Sequence, residues 1–309
     1  MGVSLRQRLA ARRFVVTAEI SPPRGAGTGS ITRSAELLRD WVDAVNVTDN
    51  QGSNVRLASW AGSVAALAAG LEPVMQMTCR DRNRIALQSD LLGASALGIR
   101  NILVMTGDHP KSGDHPEAKP VFDLDSVQLL RALRTMRDEH TLLSGRPVDP
   151  PPDCFLGAVE NPFASPGESM AGRLGRKVAA GAQFVQTQFV FDVPAFGRWM
   201  TEVRDLGLHE RCAILAGVGA VRSLRALDFL RDKLGVEVPD DVYRRLRAVP
   251  ADRVAAEGAR LAAETIAQLG QLPGVAGVHL MVPWNEIPAI LDGAGLRAGD
   301  DRGRGHDGR

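Results

Sequence analysis

Three polar side chains lie where the sequence is otherwise apolar. Glu19 is in the segment FVVTAEISPP, Asp108 follows the run NILVMTG, and Gln188 lies within QFVQTQFVF. An unpaired polar group in an apolar setting costs about 1–3 kcal/mol, so each of the three is a candidate for chemistry. Burial of Glu19 beside Val15 and Ile20 should raise its pKa and keep a proton available near neutrality. Pro22 and Pro23 can continue neither a strand nor a helix, so Glu19 lies near the carboxyl end of its strand.

Other polar residues follow the same pattern, because they lie at the ends of six successive apolar runs. They are Glu19; Thr48, Asp49 and Asn50; Gln76 and Thr78; Thr106, Gly107 and Asp108; Glu160 and Asn161; and Gln186 and Gln188. Any one of them has an ordinary explanation, because loops are polar. Six consecutive runs with the same ending indicate one shared site, provided that the ends of the runs meet in space.

The apolar runs have the length and the Val, Ile and Leu content of strands buried on both faces. We predict strands at Phe14–Ile20, Ala44–Thr48, Pro73–Thr78, Asn101–Thr106, Cys154–Val159, Phe184–Phe189, Ala213–Gly217 and Gly277–Val282. Amphipathic segments between them predict crossover helices at Asn83–Leu97, Ser126–Glu139, Ser169–Ala180, Val193–Asp205, Ser223–Leu234 and Val254–Leu269.

The alternation of eight strands with helices favours an α/β fold, a single (βα)8 barrel, over an open dinucleotide-binding sheet, which would carry a glycine fingerprint after its first strand. The barrel should occupy residues 1–296, and its chemistry should lie at the carboxyl ends of the strands. Residues 297–309 have no large apolar side chain, so we expect a disordered tail.

Composition excludes several classes of function. The 309 residues carry a net charge of +1, which indicates neither a nucleic-acid nor an acidic-membrane partner. No apolar run approaches the roughly 18 residues of a membrane span, and the amino terminus lacks the apolar core of a signal peptide. We therefore expect a cytoplasmic protein. Cys79, Cys154 and Cys212 are odd in number and widely spaced, which predicts three buried structural thiols.

Three motifs offer other chemistry. Gly25–Ser30, GAGTGS, resembles a phosphate loop but lacks the GK[ST] ending and departs from GxGxxG. His109 and His115 could in principle hold a metal with a neighbouring aspartate, but their proline-rich loop argues against it, and we expect no metal. The segment Arg80–Arg84, RDRNR, is either a solvated loop or an anion-binding element at the mouth of the barrel.

The chain also resembles a known enzyme family. The segments TAEISPPR, NVTDNQG, MQMTCRDRNRIALQSDLLGASALGIRNILVMTGDHP, RKVAAGAQFVQTQFVFD and HLMVPWNE together are similar to 5,10-methylenetetrahydrofolate reductase, from about Arg13 to Leu296. The resemblance implies a flavin-dependent barrel enzyme of one-carbon and methionine metabolism. Such an enzyme takes electrons from NADH or NADPH and reduces methylenetetrahydrofolate to 5-methyltetrahydrofolate.

The resemblance assigns roles to the three prominent residues. Glu19 matches the general acid, which protonates the five-membered ring of the folate so that it opens to an iminium. Asp108 matches an aspartate close to both flavin and pterin, whose charge stabilises the iminium. Gln188 matches a glutamine that contacts the pterin and the nicotinamide in turn, for which an amide is suited because it both donates and accepts. Asn285 falls where the family binds the folate tail.

The resemblance also implies a bound flavin, usually FAD, with FMN possible. The positions that match the flavin site are Thr48, Gln76, Thr106, Gly107, Asp108, Phe122, Asp123, Asn161, Arg176 and Lys177, the last two as phosphate partners.

The chain departs from better-known bacterial relatives at several of these positions. Gln76 and Asn161 replace histidines, Thr106 and Asn285 replace arginines, and Leu224 replaces an aromatic residue that packs on the nicotinamide. No carboxyl-terminal regulatory domain is expected.

Two alternatives therefore stay open. One is a flavin-free reductase that passes hydride from NAD(P)H directly to the pterin. The other is an inert barrel within an electron-transfer assembly. A homo-oligomer and an electron-donor partner protein are also compatible with the sequence.

Overall fold

Eight parallel strands close into a barrel in the order of the sequence, β1 to β8, with β8 pairing with β1. The computed structural model describes residues 3–163, 170–232 and 235–296. The strands are β1 (Val15–Ile20), β2 (Ala44–Val47), β3 (Pro73–Thr78), β4 (Asn101–Met105), β5 (Phe155–Glu160), β6 (Phe184–Phe189), β7 (Ala213–Val218) and β8 (Val275–Leu280). The predicted (βα)8 barrel is confirmed.

The predicted strand bounds agree with the structure to within one residue except at β8, which begins and ends two residues earlier than expected. Gly277, predicted as the first residue, is an interior position of this strand. A Cβ atom there would come within 2.0 Å of the Val15 carbonyl oxygen on β1. The glycine that interrupts the apolar pattern is thus required by close packing of two strands.

The described residues form twelve α-helices, of which the first precedes β1, the last follows β8 and the others connect successive strands. They are α1 (Leu5–Ala10), α2 (Gly29–Leu38), α3 (Ser59–Ala68), α4 (Arg84–Ala96), α5 (Ser126–Asp138), α6 (Met170–Ala180), α7 (Val193–Asp205), α8 (Leu208–Arg211), α9 (Leu224–Asp232), α10 (Asp240–Arg247), α11 (Val254–Gln271) and α12 (Ile287–Gly293).

The six predicted helices are all found, whereas α1, α2, α3, α8, α10 and α12 were not predicted individually. The phosphate-loop candidate Gly25–Ser30 runs directly into α2, whose first residue is Gly29. Ser169, Leu234 and the predicted tail 297–309 lie outside the described residues.

The two ends of the barrel differ in polarity. At the amino-terminal end, Leu5 and Leu9 of α1 pack against an apolar layer inside the barrel that includes Leu103, Phe155 and Phe184. This layer closes the bottom of the barrel with side chains that exclude water. The polar residues at the opposite end are therefore reached only from the carboxyl-terminal mouth.

The three cysteines are buried and unoxidised, as predicted. Burial raises the pKa of the Cys79 and Cys212 thiols to about 12 and that of Cys154 to about 11. Among the described helices, none is long and apolar enough to cross a bilayer.

Candidate active site

A cavity of about 670 Å³ occupies the carboxyl-terminal mouth of the barrel. Pockets of this size commonly hold cofactors and small substrates. Its walls come from the ends of β1 to β6 and β8 and from the starts of α5 and α6. The lining includes Glu19, Gln76, Thr106, Gly107, Asp108, Asn161, Arg176, Lys177 and Gln188, nine of the residues predicted for the site. The structure thus brings the ends of the first six strands together, as the sequence pattern predicted.

Glu19 occupies the end of β1, where it is half-buried and held by two amides. Gln51 Nε2 donates to Oε1 at 2.9 Å, and Gln76 Nε2 donates to Oε2 at 3.3 Å. Burial raises the pKa of Glu19 above its usual 4.5, and the bonds from Gln76 and Gln51 lower it by less than burial raises it. The predicted direction of this pKa shift is confirmed. A carboxyl group in this setting can hold a proton for delivery into the cavity.

A buried polar layer forms the floor of the cavity below Glu19. The Asn46 and Gln186 side-chain amides bond each other reciprocally, at 2.6 and 3.0 Å. Gln186 Nε2 also donates to Thr17 Oγ1 at 3.3 Å, and the same oxygen lies 3.0 Å from His279 Nδ1. Each of these four side chains is almost fully buried. Because each finds a partner, the layer is a rigid base on which a ring can be oriented.

A bulge in β6 brings Gln188 to the cavity. Gln186 pairs with Leu215 of β7, but Phe189 pairs with Gly217, so β6 has one extra residue at this point. The cavity lining accordingly includes Gln186, Thr187 and Gln188, three consecutive residues. Bulges of this kind are common beside active sites because they redirect side chains.

Glycine is required opposite this bulge. A Cβ atom at Gly217 would lie 2.3 Å from the Thr187 carbonyl oxygen and 2.7 Å from that of Gln188. Gly217 N also donates to Thr187 Oγ1 at 2.9 Å, which fixes the bulge to β7.

A group of charged side chains, which we call the basic lobe, lines the wall next to β5. It consists of Arg173, Arg176, Lys177 and Glu160. The Glu160 side chain is fully buried and pairs with Lys177 Nζ at 2.8 Å and Arg173 NH2 at 3.3 Å. Lys177 Nζ also donates to the Val159 carbonyl oxygen. Guanidinium and ammonium groups at the wall of a cavity suit phosphate groups.

The turn after β4 forms another wall. Gly107 has φ +90°, and a Cβ atom there would come within 3.0 Å of Thr78 Cβ and 3.2 Å of Arg80 Cβ. The Asp108 carbonyl oxygen accepts bonds from Ser53 Oγ and Arg80 NH1, whereas its side chain is exposed at the cavity. The main chain of Asp108 therefore holds the turn, and its carboxylate is available to a ligand.

Four predicted site residues lie outside this lining. Thr48 is fully buried at the end of β2, and its Oγ1 has no hydrogen-bond partner among the described residues. Phe122 is 36% exposed, with a φ of +39°. Asp123 pairs with Arg84, which lowers the pKa of Asp123 to about 2. Asn285 lies in the short turn after β8. Their proposed ligand contacts stay predictions.

The RDRNR segment is an ion-pair network at the rim of the cavity. Arg80 is buried and pairs with Asp81, and Arg82 pairs with Asp49 and Asp90. The arginines of this segment support the loops through protein carboxylates rather than lying in a purely solvated loop. Arg80 also lines the cavity, and anion binding by this segment stays a prediction. The two histidines of the loop after β4 contact residues close to them in sequence. His109 accepts a bond from Lys111 N, and His115 lies 3.3 Å from Glu117.

Sequence reasoning missed several residues of the cavity. Asn46 and His279 lie inside strands, one layer below the strand ends where polar residues were sought. Their signal was a polar residue within an apolar run, the same signal that singled out Glu19. Arg173 lies four residues before Lys177 on α6, so the two share a helix face. Gln51, in the loop after β2, carried no signal.

The geometry agrees with comparisons to known proteins. A family model described as "Methylenetetrahydrofolate reductase" matches residues 4–292. The 5,10-methylenetetrahydrofolate reductase of Pectobacterium carotovorum is 26% identical over 233 residues, covering 74% of this chain and 71% of that protein. A probable methylenetetrahydrofolate reductase (NADPH) of Caenorhabditis elegans is 25% identical over 245 residues. The chain covers only 34% of that longer protein, although the match takes in 76% of the chain.

Solved structures show the same fold at low sequence identity. An uncharacterized protein from Clostridium thermocellum that binds two copies of 5-methyl-5,6,7,8-tetrahydrofolic acid superposes with a TM-score of 0.64 and 14% identity, covering 94% of this chain and 97% of that one. A Mycobacterium tuberculosis tryptophan synthase structure gives a TM-score of 0.52 at 15% identity, over 96% and 99% of the two chains. The family model covers nearly all the described residues, and the chain belongs to the methylenetetrahydrofolate reductase family.

Proposed function

We propose that this protein reduces 5,10-methylenetetrahydrofolate to 5-methyltetrahydrofolate. The observation that carries the proposal is the half-buried Glu19, whose pKa is raised by burial and whose two oxygens are each held by an amide at a cavity wall. The reaction needs a proton before it needs hydride, because the bridging methylene becomes electrophilic only when the five-membered ring opens to an iminium. The family and the named relatives support this substrate.

Glu19 delivers the proton to a ring nitrogen of the folate, and the bridging carbon becomes the cationic iminium carbon. The Asp108 carboxylate, exposed to the cavity from the turn after β4, stabilises that positive charge. Gln188, redirected by the bulge in β6, holds the pterin by hydrogen bonds. Hydride addition to the iminium carbon then gives the 5-methyl product.

The residues present fit a flavin. Gly107 allows a close approach of the main chain, the basic lobe suits phosphates, and the cavity is large enough to hold a ring system. In the proposed site, Thr106, Gly107 and Asp108 would hold the ring, and Arg176 and Lys177 would hold the phosphates of FAD or FMN. A bound flavin would supply the hydride, with NADH or NADPH as its reductant. The name of the Caenorhabditis elegans relative specifies NADPH.

The test separates the two halves of the reaction. Glu19→Gln should abolish reduction of methylenetetrahydrofolate while leaving reduction of the bound flavin by NAD(P)H nearly intact, because only the folate half needs the proton. Stopped-flow absorbance measures each half separately. Glu72→Gln is the matched control, since Glu72 is a half-buried carboxyl of raised pKa that lies near α1, away from the mouth.

Three results would contradict the proposal. Loss of both half-reactions in a folded Glu19→Gln variant would give Glu19 a structural role. A colourless purified protein that nevertheless turns over with NAD(P)H would favour the flavin-free reductase. A protein inactive with every artificial donor would favour a subunit of an electron-transfer assembly.

A further inference from the structure

His279 on β8 is a buried histidine with one ring nitrogen in contact with Thr17 and the other without a bonded group among the described residues. Its side chain is 3% exposed and lines the floor of the cavity. Nδ1 lies 3.0 Å from Oγ1 of Thr17, its paired residue on β1. Within the part of the chain that the structure describes, no group is bonded to Nε2. Because the ring borders the cavity, Nε2 is the atom left to meet a ligand.

The bonds around Thr17 favour one of the two neutral tautomers of His279. Thr17 Oγ1 accepts from Gln186 Nε2, so its own proton goes either to His279 Nδ1 at 3.0 Å or to the Val278 carbonyl oxygen at 3.4 Å. The shorter contact favours donation to Nδ1. The proton of the imidazole is then on Nε2, which makes Nε2 a donor toward the cavity.

The imidazole is neutral in the working range of pH. Burial lowers the pKa of His279 to about 3. Its neighbours in the floor, Thr17, Asn46 and Gln186, are uncharged, and the nearest carboxyl group along the paired strand is Glu19. A cation at this position would hold Glu19 ionised and repel an iminium, whereas a neutral donor does neither.

The position of His279 in the barrel indicates which of the two proposed ligands, the cofactor or the folate, lies beside it. In a closed barrel of eight strands, β8 and β1 lie across the axis from β4 and β5. The turn after β4 and the basic lobe are on the far side, where the proposed cofactor binds. His279 and Glu19 are on the near side, where the folate must lie in order to receive a proton from Glu19.

We propose that His279 is a pterin-binding residue, whose Nε2–H donates a hydrogen bond to an acceptor atom of the pterin ring from the floor beneath Glu19. The inference rests on the proposed function, because it takes the folate as the ligand. It adds a contact from β8 to those already proposed from β1, β4 and β6. Thr17 is a positioning residue in this arrangement, because it fixes the orientation of the imidazole and the location of its proton.

Calorimetric binding of 5-methyltetrahydrofolate to the holoprotein tests the contact. His279→Leu should weaken binding about tenfold, or about 1.4 kcal/mol, whereas His279→Gln, which keeps a donor, should stay within about threefold of wild type. His209→Leu is the matched control, because His209 lines a cavity beside α1 and α8, separate from the mouth.

A second measurement observes the imidazole in the wild-type protein. In ¹⁵N-histidine NMR spectra of the wild-type protein, the His279 signals, assigned by their loss in His279→Gln, should show a neutral imidazole with the proton on Nε2. Saturation with 5-methyltetrahydrofolate should shift the Nε2 signal. In Thr17→Val, the His279 imidazole should lose its preference for the tautomer with the proton on Nε2.

The outcomes separate this inference from the proposed function. If wild-type protein binds 5-methyltetrahydrofolate but His279→Leu binds within twofold of wild type, or if Nε2 does not shift on saturation, the pterin contact is wrong and the proposed function stands. If wild-type protein does not bind the folate at all, the proposed function fails, and this inference fails with it.

Discussion

Gln51 donates a hydrogen bond of 2.9 Å to Oε1 of Glu19, so the loop after β2 holds the carboxyl group at the end of β1. Gln51 also accepts a bond from Ser21 Oγ, which fixes the amide in place. The bond favours the ionised carboxylate and therefore lowers the pKa that burial raises. The loop thus tunes the acid as well as positioning it.

Gln51→Leu should move the pH dependence of folate reduction to higher pH. Without the bond, the pKa of Glu19 rises further, and the protonated acid persists to higher pH. The alkaline limb of the kcat profile measures this, with Gln268→Leu on the exposed face of α11 as control. An alkaline limb that stays in place would show that Gln51 does not act on the acid that limits turnover.

Glu19→Gln should make the protein more stable at neutral pH than wild type. The pKa of Glu19 is raised above 4.5 in the folded state, so folding takes up protons between pH 4.5 and the folded pKa. Wild-type stability therefore falls as pH rises through that window, whereas glutamine does not titrate. Chemical denaturation at several pH values measures the difference between the two proteins. That difference should grow from pH 4.5 upward and then level off, and a constant difference would contradict the shift.

Asp108→Asn should slow folate reduction about tenfold or more and raise the reduction potential of a bound flavin. If the proposed function holds, this variant lacks a negative charge beside both the flavin and the iminium. The turn itself should survive, because it is held by the Asp108 carbonyl oxygen. Redox titration and single-turnover kinetics measure the two effects. If both quantities match wild type, the Asp108 side chain has no part in the chemistry.

Gly217→Ala should lower both stability and turnover. The added methyl group meets the carbonyl oxygens of Thr187 and Gln188, so the bulge in β6 must shift. Overpacking of this kind costs about 1–3 kcal/mol. Gly25→Ala is the control, since nothing lies within 4 Å of the added atom, and it should change stability by less than about 0.5 kcal/mol. Equal turnover in Gly217→Ala and Gly25→Ala would show that the bulge in β6 is not needed for activity.

Lys177→Met should lower the free energy of unfolding by about 2–3 kcal/mol, because the buried Glu160 carboxylate loses its closest cation while Arg173 stays. The double variant Glu160→Gln with Lys177→Met should recover part of this loss. Urea denaturation of the two single variants and the double variant gives the coupling energy. Additive effects would mean that the two side chains do not stabilise each other.

The barrel was predictable because its strands are buried on both faces and read as continuous apolar runs of Val, Ile and Leu. A strand that is covered by helices on the outside and by side chains on the inside must be apolar along its whole length. The strand can therefore be recognised from its own sequence. Glu19, Gln76, Asp108 and Gln188 were found in the same way, since a polar residue at the end of a buried strand contrasts with its neighbours. Topology then required that these ends meet at one mouth.

Tertiary structure alone decided which polar groups pair. Nothing local shows that Lys177 neutralises Glu160, that Asp123 is taken by Arg84, or that Gln51 reaches Glu19, because each contact joins residues that are distant in sequence. The bulge in β6 likewise depends on its register with Gly217. Residue types and their periodicity thus fix the fold and the kind of chemistry. Charge, pKa and access depend on long-range contacts, which form only when the barrel closes.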